Sequence, residues 1–248
     1  MLFVAIIKMS KRKRIGEHML TRLRKSAKRS NEDEEEEEEL PMNPFELLRP
    51  KTDEMIYRQA NHIYFRGDIT LESVNKLGKL INEANIEFEL LANATSNTGK
   101  LVPKPLYLHI FSIGGLIFAG MMGADQVKNS KIPIYSIIEG MVASAATFIT
   151  IVARKRFMTE NSYMLIHQLS SVETGNFEQL TDQHVNNENL MKHSKKLYMA
   201  HTKLTSKQLD EIMKHDIFWD FTKAKKCGFV DEIYEQKQAY VTTECAGN

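Results

Sequence analysis

Apolar side chains alternate along this chain between runs typical of buried strands and stretches with helical spacing. The runs predict strands at residues 63–68, 106–111, 132–138, 156–158 and 164–166. Helical spacing predicts a helix after each of the first three runs and another helical region over residues 178–215. The packed positions expected on three of these helical stretches are Val74, Leu77, Leu80, Ile81, Met121, Met122, Val127, Val185, Leu190, Leu197, Leu204, Leu209 and Ile212. Strands that alternate with helices in this way indicate α/β units around a mostly parallel sheet.

The first 40 residues differ from the rest in charge and in pattern. They hold ten of the 33 Lys and Arg residues, all within residues 8–29, and nine of the 32 Asp and Glu residues, eight of them in the unbroken run 32–39. Because no apolar periodicity supports a core there, we expect a charged tail that is disordered or locally helical. Four roles stay open for the basic residues 8–29: a solvated tail, a nucleic-acid patch, an Arg-rich presequence, or a partner for the acidic run. Met9 is an alternative start of translation.

The remainder predicts one folded domain at residues 41–236 and a short tail at residues 237–248. A chain of 248 residues with 42% hydrophobic side chains can bury one sizeable core. No apolar stretch reaches the ~20 residues that a bilayer span needs. Cys227 and Cys245 lack metal-ligand spacing, which favours a reducing compartment inside the cell. HExxH, CxxC and Walker sequences are absent, which argues against a zinc hydrolase and a P-loop NTPase.

Ser144 lies where a buried strand gives way to a helix. Residues 132–138 predict the strand, a small-residue turn follows, and the Ala, Phe and Ile residues up to Ile151 predict the helix. A serine in such a turn presents its hydroxyl beside free N–H groups, which can hold a developing negative charge. A helix N-cap is the commoner role for a serine at this kind of junction. This stretch alone leaves both roles open.

Three other places carry candidate chemistry, and each has an ordinary structural alternative. Gly114 and Gly115 follow a strand and open a helix, so their bare N–H groups suit an oxyanion, although a tight turn also explains them. His167 ends an apolar strand and is either a catalytic residue or, as is commoner for a lone histidine there, a structural one. Asp216 is a carboxylate just before the aromatic residues Phe218 and Trp219, and its ordinary structural role would be that of a helix C-terminal or turn residue.

Taken together, these elements resemble the ClpP family of serine peptidases, the proteolytic subunit of the Clp protease. Four family motifs occur in family order: S-P-G-G, G-x-x-A-S, M-I-H-Q, and an acid ahead of G-[LF]-V-D. They are matched by Ser112-Ile113-Gly114-Gly115, by Gly140 through Ser144, by Leu165-Ile166-His167-Gln168, and by Asp216 ahead of Gly228-Phe229-Val230-Asp231. The similarity covers roughly residues 60–235. Departures include Ile113 for the family's proline and residues 169–175 in place of its Pro and Gly-rich turn.

The resemblance implies the ClpP/crotonase-like spiral of ββα units with a protruding helix-strand handle. It implies a serine endopeptidase with Ser144 as nucleophile, His167 as general base and Asp216 as the acid that orients it. It implies no metal and no cofactor, ATP being used only by a partner ATPase. The implied backbone positions are Gly114, Gly115 and Ala145 for the oxyanion hole and Leu116, Ile117, Gln168 and Leu169 for the substrate main chain.

The same resemblance implies assembly and partners. We expect a homo-oligomeric heptameric ring, single or doubled into a tetradecamer, an AAA+ unfoldase partner, and peptides and unfolded proteins as substrates. We expect neither a membrane nor a nucleic-acid partner, and a cytoplasmic location, or an organelle if residues 1–31 are a presequence. The alternatives are a catalytically silent structural ring subunit, a crotonase-like acyl-CoA enzyme, a Ser–Lys peptidase using Lys155, and a nucleic-acid binder through residues 8–29.

Overall fold

The computed structural model of the chain describes residues 55–95 and 101–235. The two predicted tails, residues 1–40 and 237–248, lie outside the described residues, as do the interpretations of their charge blocks. The start of the predicted domain, residues 41–54, lies outside them too. Among the described helices, none combines the length and the apolar character that crossing a membrane requires.

One sheet runs through the described part of the chain. Its strands are β1 Ile56–Gln59, β2 His62–Arg66, β3 Leu106–Ser112, β4 Ile134–Ala143, β5 Lys155–Met158, β6 Tyr163–Leu165 and β7 Glu232–Ile233. The strand order is β1-β2-β3-β4-β5-β7, and β6 also pairs with β4. β1 and β2 pair antiparallel, whereas the other pairs are parallel. The predicted mostly parallel sheet is therefore confirmed, although β1 and β7 were not predicted.

Helices follow the strands as the apolar spacing predicts. They are α1 Leu71–Ala94, α2 Ile117–Lys128, α3 Ala146–Ile151, α4 Phe177–His201, α5 Ser206–Ile212 and α6 Phe221–Cys227. α1 begins at a capping box, in which Thr70 Oγ1 accepts from the Ser73 N–H at 3.0 Å and Ser73 Oγ accepts from the Thr70 N–H at 2.9 Å. The α/β prediction is confirmed.

The structure corrects three details of the prediction. The helical region 178–215 is two helices, α4 and α5, and Val185 on α4 is 49% exposed rather than packed. The first buried side chain of α4 is Ser194, so the first half of this helix is exposed, consistent with the implied handle. The turn expected before Ser144 is shorter, because β4 continues to Ala143 by pairing with β6 beyond the part that pairs with β5.

The core lies between the central strands and the helices that cover them. Leu108 and Ile110 on β3 and Ile138 on β4 are 0% exposed. α2 approaches the start of α3 so closely that a Cβ on Gly120 would lie 2.7 Å from the carbonyl oxygen of Ala145. A glycine is therefore needed at this position for α2 to pack directly against the residue that follows Ser144.

Arg156 joins three segments at one side of the sheet. Its guanidinium donates to Asp231 Oδ1 at 2.5 Å and Oδ2 at 3.1 Å, and to the carbonyls of His201 and Gly228, each at 2.7 Å. Burial by itself would raise the pKa of Asp231, but the hydrogen bonds and charge of Arg156 outweigh it and lower that pKa. Such a bidentate ion pair fixes β5 against the ends of α4 and α6.

We predict that Asp231→Asn lowers the free energy of unfolding at pH 7 by about 1 kcal/mol, a value discounted for the partial exposure of the carboxylate. Because the pKa of Asp231 is lowered in the fold, its contribution is present above about pH 4 and is lost as the pH falls through the lowered pKa. Urea unfolding at pH 7 and at about pH 3 measures both effects.

The matched control is Asp210→Asn, which removes a surface carboxylate 2.7 Å from the Lys195 ammonium. We expect a smaller loss of stability from that variant. Equal losses in the two variants at pH 7 would contradict a special role for Asp231.

Candidate active site

Ser144 occupies a strained turn directly after β4. Its φ is 53°, a left-handed value that among the described non-glycine residues is shared with Ala60 alone. The Ser144 N–H donates to the carbonyl of Leu165 at 2.9 Å, so the turn is fixed to the end of β6. The N-cap of α3 is Ala145, not Ser144, and the N-cap interpretation of Ser144 is therefore wrong. A strained serine between a strand and a helix is the geometry of a nucleophile elbow.

His167 reaches the same place because β4 and β6 run parallel. Ala143 at the end of β4 pairs with Leu165 at the end of β6, so the residues that follow the two strands leave the sheet together. Ser144 and His167 then line one cavity of about 1010 Å³. The His167 side chain is 27% exposed, which leaves it in contact with both cavity and solvent.

Asp216 is held opposite His167 by main-chain bonds on both sides of it. Met164 and Trp219 exchange N–H···O bonds of 2.9 and 2.8 Å, and the Gln168 N–H donates to the carbonyl of Met213 at 2.9 Å. These bonds bring Asp216 Oδ1 to 3.7 Å from His167 Nδ1. A separation of 3.7 Å between these two atoms is longer than a hydrogen bond. The Asp216 side chain is 78% exposed.

The three predicted catalytic residues thus converge in an open arrangement. Within residues 55–95 and 101–235, the Ser144 hydroxyl takes part in no hydrogen bond. His167 presents Nδ1 to Asp216, and among the described residues its Nε2 takes part in no hydrogen bond. A closed Ser–His–Asp chain would require these side chains to approach one another, and long contacts of this kind are common in active sites without substrate.

The strand end at Gly114 packs against the serine side chain. Gly114 has φ 106°, and a Cβ added there would lie 2.6 Å from Ser144 Cβ. The Gly114 N–H donates to Ser112 Oγ at 3.1 Å, so one of the three predicted oxyanion donors is engaged. Among the hydrogen bonds of the described residues, none engages the N–H of Gly115 or of Ala145. Both residues line the cavity with Ser144, so their unengaged N–H groups suit a developing oxyanion.

The four residues predicted to bind the substrate main chain all line the cavity with Ser144. They are Leu116, Ile117, Gln168 and Leu169. Two of their N–H groups are already used, since Leu116 donates to the Ile69 carbonyl at 2.8 Å and Gln168 to Met213. The Leu169 N–H faces Met191 Sδ at 3.1 Å, a weak acceptor. The apolar part of the lining comes from Ile117, Phe118, Met121, Phe148, Leu190, Met191 and Met213.

Lys155 does not take part in this site. Its Nζ lies 2.9 Å from Glu232 Oε2, and it is not among the residues that line the cavity. The Ser–Lys alternative is therefore wrong. Among the residues that the structure describes, no three His, Cys, Asp or Glu side chains are grouped so as to hold a metal ion.

Two buried residues that the sequence did not indicate, Thr147 and Tyr198, form hydrogen bonds next to Ser144. Thr147 Oγ1 lies 2.6 Å from the Ser144 carbonyl oxygen and 2.7 Å from the hydroxyl of Tyr198. Tyr198 is on α4, 51 residues after Thr147. Neither residue type nor local spacing indicates a contact at that separation, because only the packing of α4 against α3 creates it.

A family model and several curated proteins match the part of the chain that contains the candidate active site. The family model described as Clp protease matches residues 83–237, which include Ser144, His167 and Asp216. Similar curated proteins include an ATP-dependent Clp protease proteolytic subunit of Streptococcus mutans, 34% identical over 154 residues, 60% of this chain and 76% of the relative. The subunit of that name in Lactococcus lactis subsp. lactis is 33% identical over 59% of this chain and 73% of its own length.

Proteolytic subunit 2 of Treponema pallidum is 32% identical over 55% of this chain and 69% of its own length. The matched region contains the strained serine turn, the end of β6 and the segment around Asp216. The chain therefore belongs to the Clp protease family of serine peptidases.

Proposed function

We propose that Ser144, His167 and Asp216 are the catalytic triad with which this serine endopeptidase cleaves peptide bonds. The observation that carries the proposal is the left-handed turn at Ser144, a residue that lines the same cavity as His167. A strained non-glycine residue persists only where the surrounding structure maintains it, and such residues cluster at active sites.

In the proposed reaction, His167 Nε2 accepts the proton of Ser144 as Oγ attacks the carbonyl carbon of the substrate. The C–N bond then breaks, and His167 returns the proton to the departing amine. Water repeats the sequence on the acyl-enzyme and regenerates the serine. Asp216 keeps the imidazole in the productive tautomer and stabilises its charged form. The chain's own groups supply every proton transfer, so the reaction needs no cofactor.

The N–H groups of Gly115 and Ala145 would bind the oxyanion of the tetrahedral intermediate. Each well-placed donor of this kind contributes about 3 kcal/mol, or roughly a hundredfold in rate. Gly114 contributes differently, because its lack of a Cβ leaves room for the serine side chain. For the Gly114 N–H to donate to the oxyanion directly, it would first have to break its hydrogen bond to Ser112 Oγ.

The substrate would lie extended along the cavity, beside residues 115–118 and 168–170. Free carbonyl groups and the few free N–H groups there would pair with its main chain, as in β-strand addition. The lining Met and Phe side chains favour large apolar residues next to the scissile bond, with loose selectivity because Met adapts its shape.

Assembly into a ring, heptameric or doubled, and partnership with an AAA+ ATPase complete the proposal. The names of the relatives, ATP-dependent Clp protease proteolytic subunits, support assembly and an ATPase partner in general, whereas the number of subunits in the ring rests on the family resemblance alone. Exposed apolar side chains beside the triad, Ile217 at 61% and Phe218 at 62%, also support contact with a neighbouring subunit. Burial of this segment would move the Asp216 carboxylate out of water and towards His167.

A structural ring subunit without activity is the second candidate. The observation that favours it is the 3.7 Å separation between His167 Nδ1 and the 78% exposed Asp216. An open triad that never closes would leave Ser144 unactivated. The two candidates give opposite results with a reagent that reacts with activated serines.

We predict that a fluorescent fluorophosphonate labels the wild-type protein and not Ser144→Ala, because only a serine with a functioning base attacks phosphorus rapidly. The mass of each native assembly is measured in the same samples. Absence of labelling in an intact ring would favour the structural subunit. Absence of both labelling and ring would mean that the triad needs a missing partner to close.

We predict that Asp216→Asn leaves the fold and ring mass unchanged while kcat falls by at least about a hundredfold, because the imidazole loses its orienting acid. Steady-state cleavage of a short fluorogenic peptide measures kcat. The matched control is Asp220→Asn, which removes a charge four residues away and keeps an N-cap side chain on α6. An unchanged rate in Asp216→Asn would show that another group orients His167.

A further inference from the structure

A directed hydrogen-bond chain ends at the carbonyl of Ser144. The Thr147 N–H and Thr147 Oγ1 both donate to that carbonyl oxygen, at 3.0 and 2.6 Å. A threonine hydroxyl has one proton, so once it is given to Ser144 the bond between Thr147 Oγ1 and Tyr198 must use the proton of Tyr198. The order is therefore Tyr198 O–H to Thr147 O–H to the Ser144 carbonyl. Such chains strengthen each bond through polarisation.

Tyr198 is suited to be a fixed donor. Its side chain is 2% exposed, and its ring packs between Phe148 and Phe229, each with a centroid distance of 5.4 Å. Burial raises the pKa of the Tyr198 hydroxyl, so the phenol keeps its proton throughout the neutral and moderately alkaline range. Removal of the hydroxyl would leave the aromatic packing in place.

The strained turn at Ser144 requires hydrogen bonds that hold the direction of its carbonyl group. Ser144 at φ 53° holds its carbonyl in a direction that a relaxed residue would not keep. The same peptide unit carries the N–H of Ala145, so rotation of the Ser144 carbonyl would also turn that candidate oxyanion donor. The direction of one carbonyl therefore affects both the nucleophile and the oxyanion site.

We propose that Thr147 and Tyr198 are positioning residues of the active site, which fix the Ser144–Ala145 peptide through this hydrogen-bond chain from α4. The inference rests on the proposed function of Ser144 as nucleophile. Tyr198 also lines the cavity, but it is only 2% exposed and its hydroxyl is bonded to Thr147, so the two hydroxyls act on the geometry of the turn.

The test compares Tyr198→Phe and Thr147→Val, which remove one or both hydroxyl links and keep side-chain volume, with Thr147→Ser, which restores the link. Thr150→Val is the matched control, since Thr150 Oγ1 donates to the Thr147 carbonyl in the same helix and does not reach Ser144. We expect kcat and the fluorophosphonate labelling rate to fall about tenfold in Tyr198→Phe and Thr147→Val. This factor corresponds to losing the net stabilisation that one hydrogen bond gives to the active geometry.

KM should change by less than about twofold in these variants, because the substrate surface is intact. Thr147→Ser should regain most of kcat, and Thr150→Val should keep it despite a lower Tm. Equal kcat in Tyr198→Phe, Thr147→Val and Thr150→Val, compared below their melting temperatures, would overturn the inference in favour of a purely structural role.

Hydrogen exchange of the peptide that spans residues 144–150 gives a readout independent of catalysis. We expect faster exchange in Tyr198→Phe and Thr147→Val than in Thr150→Val. If the wild type shows no labelling, the proposed function fails, and exchange then decides the inference alone. Faster exchange would support the positioning of the turn, and equal exchange in the three variants would overturn it.

Discussion

The turn at Ser144 is the constraint on which the site depends. A left-handed backbone at a residue other than glycine costs about 1–2 kcal/mol, and it persists because neighbours hold both sides of the residue. The N–H of Ser144 is held by Leu165 at the end of β6, and its carbonyl by Thr147 in α3. The strain is thus maintained by the sheet on one side and by the first turn of a helix on the other.

The parallel sheet brings the other groups to this turn. β4 pairs with β5 along its first half and with β6 at its end. Ser144 therefore follows a strand that extends past its contact with β5. The chain after β6 then delivers His167 to the same edge, as the carboxyl ends of parallel strands generally do. The segment that contains Asp216 arrives last, through the paired main chains of Met164 and Trp219.

The site is firm at the serine and loose at the acid. Ser144 is fixed by main-chain bonds and by the close approach of Gly114, whereas Asp216 is largely exposed and 3.7 Å from the imidazole. Phe218, two residues after Asp216, is also largely exposed, so this whole segment is open to solvent.

The sequence by itself determined the alternation of five strands with helices and the turn at Ser144, because apolar periodicity and turn residues act over a few neighbours. The roles predicted for Ser144, His167 and Asp216 came from motifs that resemble the ClpP family, since periodicity alone left a structural alternative for each residue. The sequence could not determine that β4 continues to Ala143, that Val185 is exposed, or that the Gly114 N–H is engaged. Only the tertiary structure decided the partnership of Thr147 with Tyr198 and the distance from His167 to Asp216. Those contacts join segments far apart in sequence, and packing rather than local preference sets their geometry.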